Sequence, residues 1–510
     1  MKKKIVLIIL DGFGTNHQKT QGDATEIADL KFFNYLKSKY PTTTLCASGE
    51  GVGLPKGQIG NSEVGHLHLG AGRKILQVLT AINKEIKCET FFQNPVLKKI
   101  ISQVKTNKKR LHLVGLFSHG GVHASLDHWL AVLELCHRSQ IKANVYLHLF
   151  ADGRDTKPEV IAEDITFLEQ EIKRLKVGKI ASVAGRYYAM DRDQRWERTK
   201  LAFDNLTTKS NLLFKDPVTY VKNSYHQKNI NDEFLLPAFS QEEQENGKIK
   251  DQDLVLLLNF RPDRAIQLSS LFTDVDKTRK AEVTFKQVKL YTMTKYSEEL
   301  NVAGVVFPKV EIKNTLGEVL AKENYTQLRL AETEKTAHVT YFFDGGEDIV
   351  WKNCTRITIP SKKVATYDLK PEMSAVEITS FLQEKIKTGK YDFVVVNYAN
   401  PDMVGHTGNL KATVKALQVI DNCLEKIYQT LDLNKTTMII TADHGNAELM
   451  VDQEGKINKK HTTNDVPLII ITSQKLKLKS KETLADVAPT ILQLLNVKKP
   501  KEMTGKSLIL

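Results

Sequence analysis

Short apolar, β-branched runs recur along the chain and alternate with stretches of helical period, the pattern of parallel sheets wound with crossover helices. Two such sheets are predicted. The first takes its strands from residues 4–10, 393–398, 438–441 and 466–471, each with Asp, His or Asn at or beside one end. The second takes residues 111–116, 145–150, 180–184 and 253–259, which lead instead to His123, to Arg154 and Asp155, to Arg186 and to Arg261. Ligands of open α/β sheets bind beyond the carboxyl ends of strands, so both sets predict site-building edges. The carboxylate and imidazole set comes from the two ends of the chain, the basic set from its middle. The simplest architecture is α/β with two domains: one assembled from residues 1–76 and 311–510, split by an inserted α/β domain over residues 77–310. Two linkers are then expected side by side, at 77–81 and 307–310, the latter containing Pro308. The polar stretch 241–253 is expected to be an exposed loop.

Length supports the division, because 510 residues exceed what one core usually organises. A composition 41% hydrophobic and 26% charged, with 28 Gly and 14 Pro, is that of a soluble globular protein. The net charge of +13 suits nucleic acid, a membrane surface or a small anionic substrate equally. Much of the excess is Lys spread through segments such as 475–481, read as solvated surface, and no zinc-finger, homeodomain or RNP signature supports nucleic acid. The first apolar run is too short to span a bilayer, and the Lys-rich start lacks the apolar core and cleavage site of a signal peptide, so a cytoplasmic protein is expected. Five scattered cysteines with no C-x-x-C pair read as reduced, structural thiols.

The chemistry concentrates in a few short motifs. Asp11 follows an apolar run and precedes Gly12 and Gly14, so a carboxylate emerges where the backbone turns. Asp402 and His406 are four positions apart, a spacing that puts both on one face of a helical turn. Asp443 and His444 follow the run 438–441, and His461 precedes 466–471. Each alone is an ordinary cap or loop residue; together they supply oxygen and nitrogen ligands from several strand ends, which suits Mn or Zn. Two such metals, about 3.5–4 Å apart, clamp phosphoryl oxygens and activate a coordinated hydroxyl. Ser62, in Gly60-Asn61-Ser62-Glu63-Val64-Gly65-His66, resembles a nucleophile elbow, and metal coordination is one of the few ways to activate a serine. The seven residues Asp11, Ser62, Asp402, His406, Asp443, His444 and His461 therefore predict a two-metal phosphoryl-transfer site with Ser62 as nucleophile.

The middle segment adds His123, Arg154-Asp155, Arg186, Arg192, Arg261 and Arg264. Planar guanidinium groups bind carboxylate and phosphate bidentately, so converging arginines imply a small, doubly anionic ligand. With Gly60 to His66, the motifs His119-Gly120-Gly121-Val122-His123, Asp152-Gly153-Arg154-Asp155, Glu334-Lys335-Thr336-Ala337-His338-Val339-Thr340 and Tyr367-Asp368-Leu369-Lys370-Pro371-Glu372-Met373 resemble those of the cofactor-independent phosphoglycerate mutases of the alkaline phosphatase superfamily, over nearly the whole chain. Thr336 stands where that family more commonly has an aromatic residue.

The resemblance implies an alkaline-phosphatase-like three-layer α/β sandwich for the discontinuous domain and a phosphotransferase role for the inserted one. It implies one Mn2+ on Asp402, His406 and His461 and a second on Asp11, Ser62, Asp443 and His444, with Co2+ or Zn2+ as possible substitutes and no 2,3-bisphosphoglycerate. It carries substrate contacts over to His123, Arg154, Asp155, Arg186, Arg192, Arg261, Arg264 and Lys335, and it implies a monomer acting on phosphoglycerate, with neither nucleic acid nor membrane as partner. Ser62, Asp155 and Lys335 are the expected catalytic residues. A hydrolytic phosphatase or another phosphomutase would share the seven metal-site residues but not the arginines. Domain closure on substrate is also expected.

Overall fold

The computed structural model describes residues 2–16, 21–228, 230–452 and 454–510. The chain divides into two units, Met1–Gln77 with Glu311–Leu510, and Val78–Val310. Among the described residues each unit is built on one eight-stranded sheet.

In the discontinuous unit the strand order is Cys354–Ile359, Gln327–Glu332, Phe393–Tyr398, Lys4–Leu10, Thr436–Thr441, Val466–Ile471, Thr42–Cys46 and Glu482–Thr483. The central strands are apolar at nearly every position because both faces are covered: Ile5 to Leu10 and Phe393 to Tyr398 are all buried. The first five strands are parallel. Val466–Ile471 departs from the expected parallel arrangement and runs antiparallel to both neighbours. The physical reason lies in the connection. A parallel return needs a crossover, usually a helix, and the described residues between Thr441 and Val466 contain none. The chain therefore turns back at the same edge, and His461, ahead of its strand, joins the edge where Asp11 and Asp443 follow theirs.

Register sets the rest of that edge. Leu10 lies beside Tyr398 and Ile9 beside Thr441, so Asp11, the Asn400–Gly405 helix and Asp443 emerge together. Gly12 adopts φ +74°, and a Cβ there would lie 2.8 Å from Asp402 Cα, so only glycine lets this turn pack against Asp402.

In Val78–Val310 the order is Gly304–Phe307, Lys289–Thr294, Leu254–Leu257, Leu111–Leu116, Val145–Ala151, Lys179–Gly185, Ala238–Ser240 and Leu212–Phe214. Ala238–Ser240 is antiparallel to Lys179–Gly185 and parallel to Leu212–Phe214. The stretch 241–253 is irregular but not simply exposed as expected. Glu243 pairs with Lys179 at 2.6 Å, Lys248 Nζ donates to the Asn205 carbonyl at 2.7 Å, and Ile249 is buried in the core with Phe203 and Val255. All five cysteines are free thiols. Among the described residues no helix is long and apolar enough to cross a membrane.

Candidate active site

Ser62 opens the Ser62–Ala71 helix, whose N-cap is Asn61, its side chain accepting the Val64 N–H at 2.9 Å. A Cβ at Gly65 would lie 2.5 Å from the Asp443 carbonyl oxygen, so the glycine brings this helix against the Asp443 loop. Ser62 Oγ then lies 2.9 Å from His444 Nε2, 2.9 Å from Lys335 Nζ and 3.2 Å from Asp11 Oδ1. Lys335 Nζ also donates to Asp11 Oδ1 at 2.7 Å and Asp402 Oδ2 at 2.8 Å.

Asp402 Oδ1, His406 Nε2 and His461 Nε2 stand 3.0 to 3.2 Å from one another. Asp11, Asp443 and His444 form a second, fully buried group, and His444 also lies close to Asp402 and His461. The two groups are contiguous, with the His444 and His461 rings stacked at 3.8 Å. All seven residues of the predicted metal site thus share one edge of one sheet.

The donor set fits divalent cations. His406, His444 and His461 each turn Nδ1 toward a backbone carbonyl, of Lys459, Gly445 and Gly60, which fixes the tautomer and leaves Nε2 to ligate. Asp443 Oδ2 lies 3.2 Å from His66 Nδ1, but that nitrogen is directed at the Ser62 carbonyl, 2.9 Å away, and leaves the oxygen without a hydrogen-bond donor of its own. Amide side chains orient two of these carboxylates: Asn397 Nδ2 donates to Asp11 Oδ2 at 2.7 Å and Asn446 Nδ2 to Asp402 Oδ1 at 3.0 Å. Burial works against ionisation of Asp402, but the Lys335 ammonium and the histidines hold its carboxyl well below the usual range. Lys335 is likewise disfavoured as a cation by burial, yet Asp11, Asp402 and Asp443 keep it protonated.

The basic residues gather within Val78–Val310. Arg186 donates to Asp152 at 2.6 Å and Asp155 at 2.5 Å. His123 lies between two carboxylates, Nε2 3.9 Å from Asp155 and Nδ1 3.6 Å from Asp263. Asp263 also pairs with Arg192 and Arg261, each at 2.9 Å. Arg154 approaches Glu233 at 3.6 Å, and Arg264 donates to the Met190 carbonyl. Burial and the charge of Arg186 lower the His123 imidazole to about 4, so it is neutral near pH 7. Arg264 is pushed down by burial and by the charges of Arg192, Arg186 and Arg154, a repulsion that a dianionic ligand would relieve.

Residues 3–499 match the metalloenzyme superfamily. Over the whole length, the chain is 47% identical to a 2,3-bisphosphoglycerate-independent phosphoglycerate mutase of Onion yellows phytoplasma and 46% identical to one of Methanococcoides burtonii, covering 99% of each. The chain belongs to this mutase family. A solved structure of Leishmania mexicana phosphoglycerate mutase at low cobalt concentration matches all of this chain and 98% of its own, with TM-score 0.61 and 27% identity.

Several residues at the site of this family member carry no assignment from sequence. His66 Nδ1 faces the Ser62 carbonyl at 2.9 Å and Asp443 Oδ2 at 3.2 Å, while its Nε2 meets Asn397 Nδ2 at 3.0 Å. Asn397 ends a strand run that the apolar pattern marks, and His66 lies in the Ser62 motif. Their position at strand end and helix turn was the available signal. Asp263 stands inside the Arg261–Arg264 motif, where alternating charge was the only clue.

Proposed function

We infer that this chain is a 2,3-bisphosphoglycerate-independent phosphoglycerate mutase, an isomerase interconverting 3-phosphoglycerate and 2-phosphoglycerate in glycolysis and gluconeogenesis, by way of a phosphoserine at Ser62. The observation that carries the phosphoserine route is Ser62 Oγ within 3.2 Å of Asp11, His444 and Lys335. Two Mn2+ ions, held by Asp402, His406 and His461 and by Asp11, Ser62, Asp443 and His444, with Co2+ or Zn2+ able to use the same donors, would lower the pKa of the serine hydroxyl and neutralise phosphoryl charge.

In the first half-reaction Ser62 Oγ, its hydroxyl proton already lost to solvent, bonds to phosphorus as the bond to the substrate's 3-oxygen breaks, and that oxygen takes up a proton. In the second, the 2-hydroxyl loses a proton as it takes the phosphoryl group from Ser62. Lys335 balances the charge of the phosphoryl oxygens in transit. Asp155 is the group proposed to move protons to and from the two glycerate hydroxyls. The guanidinium groups of Arg154, Arg186, Arg192, Arg261 and Arg264, with neutral His123, bind the anionic glycerate and keep it from leaving between the half-reactions. The protein is proposed to act as a cytoplasmic monomer on this small substrate, without nucleic acid or membrane.

Phosphorus NMR of the Mn2+-loaded protein with 3-phosphoglycerate, in the absence of 2,3-bisphosphoglycerate, tests the reading. The expected outcome is equilibration with 2-phosphoglycerate and little free phosphate. Release of inorganic phosphate with no 2-phosphoglycerate would make the protein a phosphatase.

A further inference from the structure

Glu448 is fully buried, yet it ligates nothing in the reading above. Its carboxylate accepts four hydrogen bonds. Oε2 takes the Gly14 N–H at 3.0 Å and the Asn446 N–H at 2.8 Å; Oε1 takes the Asn464 side-chain amide at 3.0 Å and the Thr462 hydroxyl. These four donors come from three separate loops. Gly14 belongs to the loop that carries Asp11, Asn446 to the loop that carries Asp443 and His444, and Thr462 and Asn464 to the loop that carries His461. A buried carboxylate needs such donors to offset its lost hydration, and here every one of them is on a ligand-bearing loop.

The packing is as close as the hydrogen bonding. A Cβ at Gly14 would lie 2.2 Å from Glu448 Cδ, and one at Gly445 would lie 2.3 Å from Oε1. Neither loop can back away without breaking a hydrogen bond, nor approach further. The backbone adds a weaker tie, with the Ala447 N–H donating to the Gly12 carbonyl at 3.0 Å and the Thr462 N–H to the Gly445 carbonyl at 3.0 Å.

We propose that Glu448 is a positioning residue which fixes the Asp11, Asp443–His444 and His461 loops against one another and so sets the affinity of both metal positions. The inference rests on the metal-site reading above. Metal sites depend on the groups that orient their ligands, and losing such a group costs about 10–100-fold in affinity.

Mn2+ titration calorimetry on the full-length, chelator-stripped protein tests this, alongside thermal unfolding of the metal-free form. Glu448→Ala is expected to weaken Mn2+ binding by about 10–100-fold and also to lower the metal-free unfolding temperature, because the donors of Gly14, Asn446, Thr462 and Asn464 lose their acceptor. Glu448→Gln should bind nearly as wild type. Its amide oxygen can still accept from Gly14 and Asn446, while its NH2 faces Thr462 and Asn464, whose hydroxyl and amide can reverse roles. Gly14→Ala should reproduce the loss by displacing an intact Glu448, and it decides the matter if Glu448→Ala fails to fold. Wild-type Mn2+ affinity in Glu448→Ala, or in Gly14→Ala, would overturn the proposal. So would a Glu448→Ala defect confined to metal-free stability. Wild-type protein that takes up no Mn2+ would instead remove the metal-site reading itself.

Discussion

Ser62 and Lys335 both meet the Asp11 carboxylate, for different reasons. Lys335 Nζ bridges Asp11 and Asp402 and also meets Ser62 Oγ, so its one positive charge answers two buried negative charges. Removing Ser62 Oγ deletes the bond-forming atom and leaves those ion pairs in place. Ser62→Ala should therefore abolish phosphoryl transfer while the fold persists and Mn2+ is still taken up by the remaining proposed ligands, and any mutase activity in that variant would refute the phosphoserine route. Lys335→Met keeps the aliphatic stem and loses the charge, and should lower kcat by about 10²–10³-fold with a smaller change in KM. A change in KM alone would give Lys335 a role in binding only. Single residues were legible where a distinctive side chain stands at a strand end, as Asp11, Asp443 and His444 do. Glu448 was not: its meaning lies in donors from Gly14, Thr462 and Asn464, and such long-range convergence leaves no spacing in the sequence.

The Ser62–Ala71 helix shows the same limit at the next scale. Its start was visible in the flanking glycines, but its face of buried histidines was not. His68 Nδ1 donates to the Val64 carbonyl at 2.7 Å, and Nε2 accepts the Ile75 N–H at 3.0 Å. Both ring nitrogens are thus committed to the neutral form, and burial lowers the imidazole from its usual 6.5 to about 4. Between these values the unfolded chain binds a proton that the folded one does not. The stabilisation is fully present above about pH 6.5 and is lost progressively as pH falls toward about 4. The wild type should consequently lose about 2 kcal/mol more than His68→Asn between about pH 7 and about pH 4.5, read from urea unfolding. Parallel losses in the two proteins would show that His68 does not titrate differently on folding. The same distinction separates the legible strands from the illegible one. Apolar runs located Lys4–Leu10 and Phe393–Tyr398, but the direction of Val466–Ile471 depends on a connection without a helix, which the run itself does not encode.

At the scale of the whole chain, the seven metal-site residues and Lys335 belong to Met1–Gln77 with Glu311–Leu510, and the basic residues to Val78–Val310. Each unit has its own core: Leu7, Val395 and Ile439 in one, Leu113, Leu147 and Leu256 in the other. The cut ends of the discontinuous unit are close to each other, since Arg73 donates to the carbonyls of Lys313, at 2.6 Å, and Asn314. A short flexible bridge can therefore replace residues 78–310 without opening the sheet. The shortened protein should fold cooperatively and take up Mn2+. It should not isomerise 3-phosphoglycerate, because the arginines proposed to retain glycerate are gone. Any phosphoryl group reaching Ser62 would be left to water, so slow release of inorganic phosphate is the expected residual reaction. Conversion to 2-phosphoglycerate by this protein would show that the basic unit is dispensable. Failure of it to fold would show that the two cores are not independent. Mn2+ uptake with hydrolysis and no isomerisation would assign phosphoryl transfer to one unit and the return of the group to glycerate to the other.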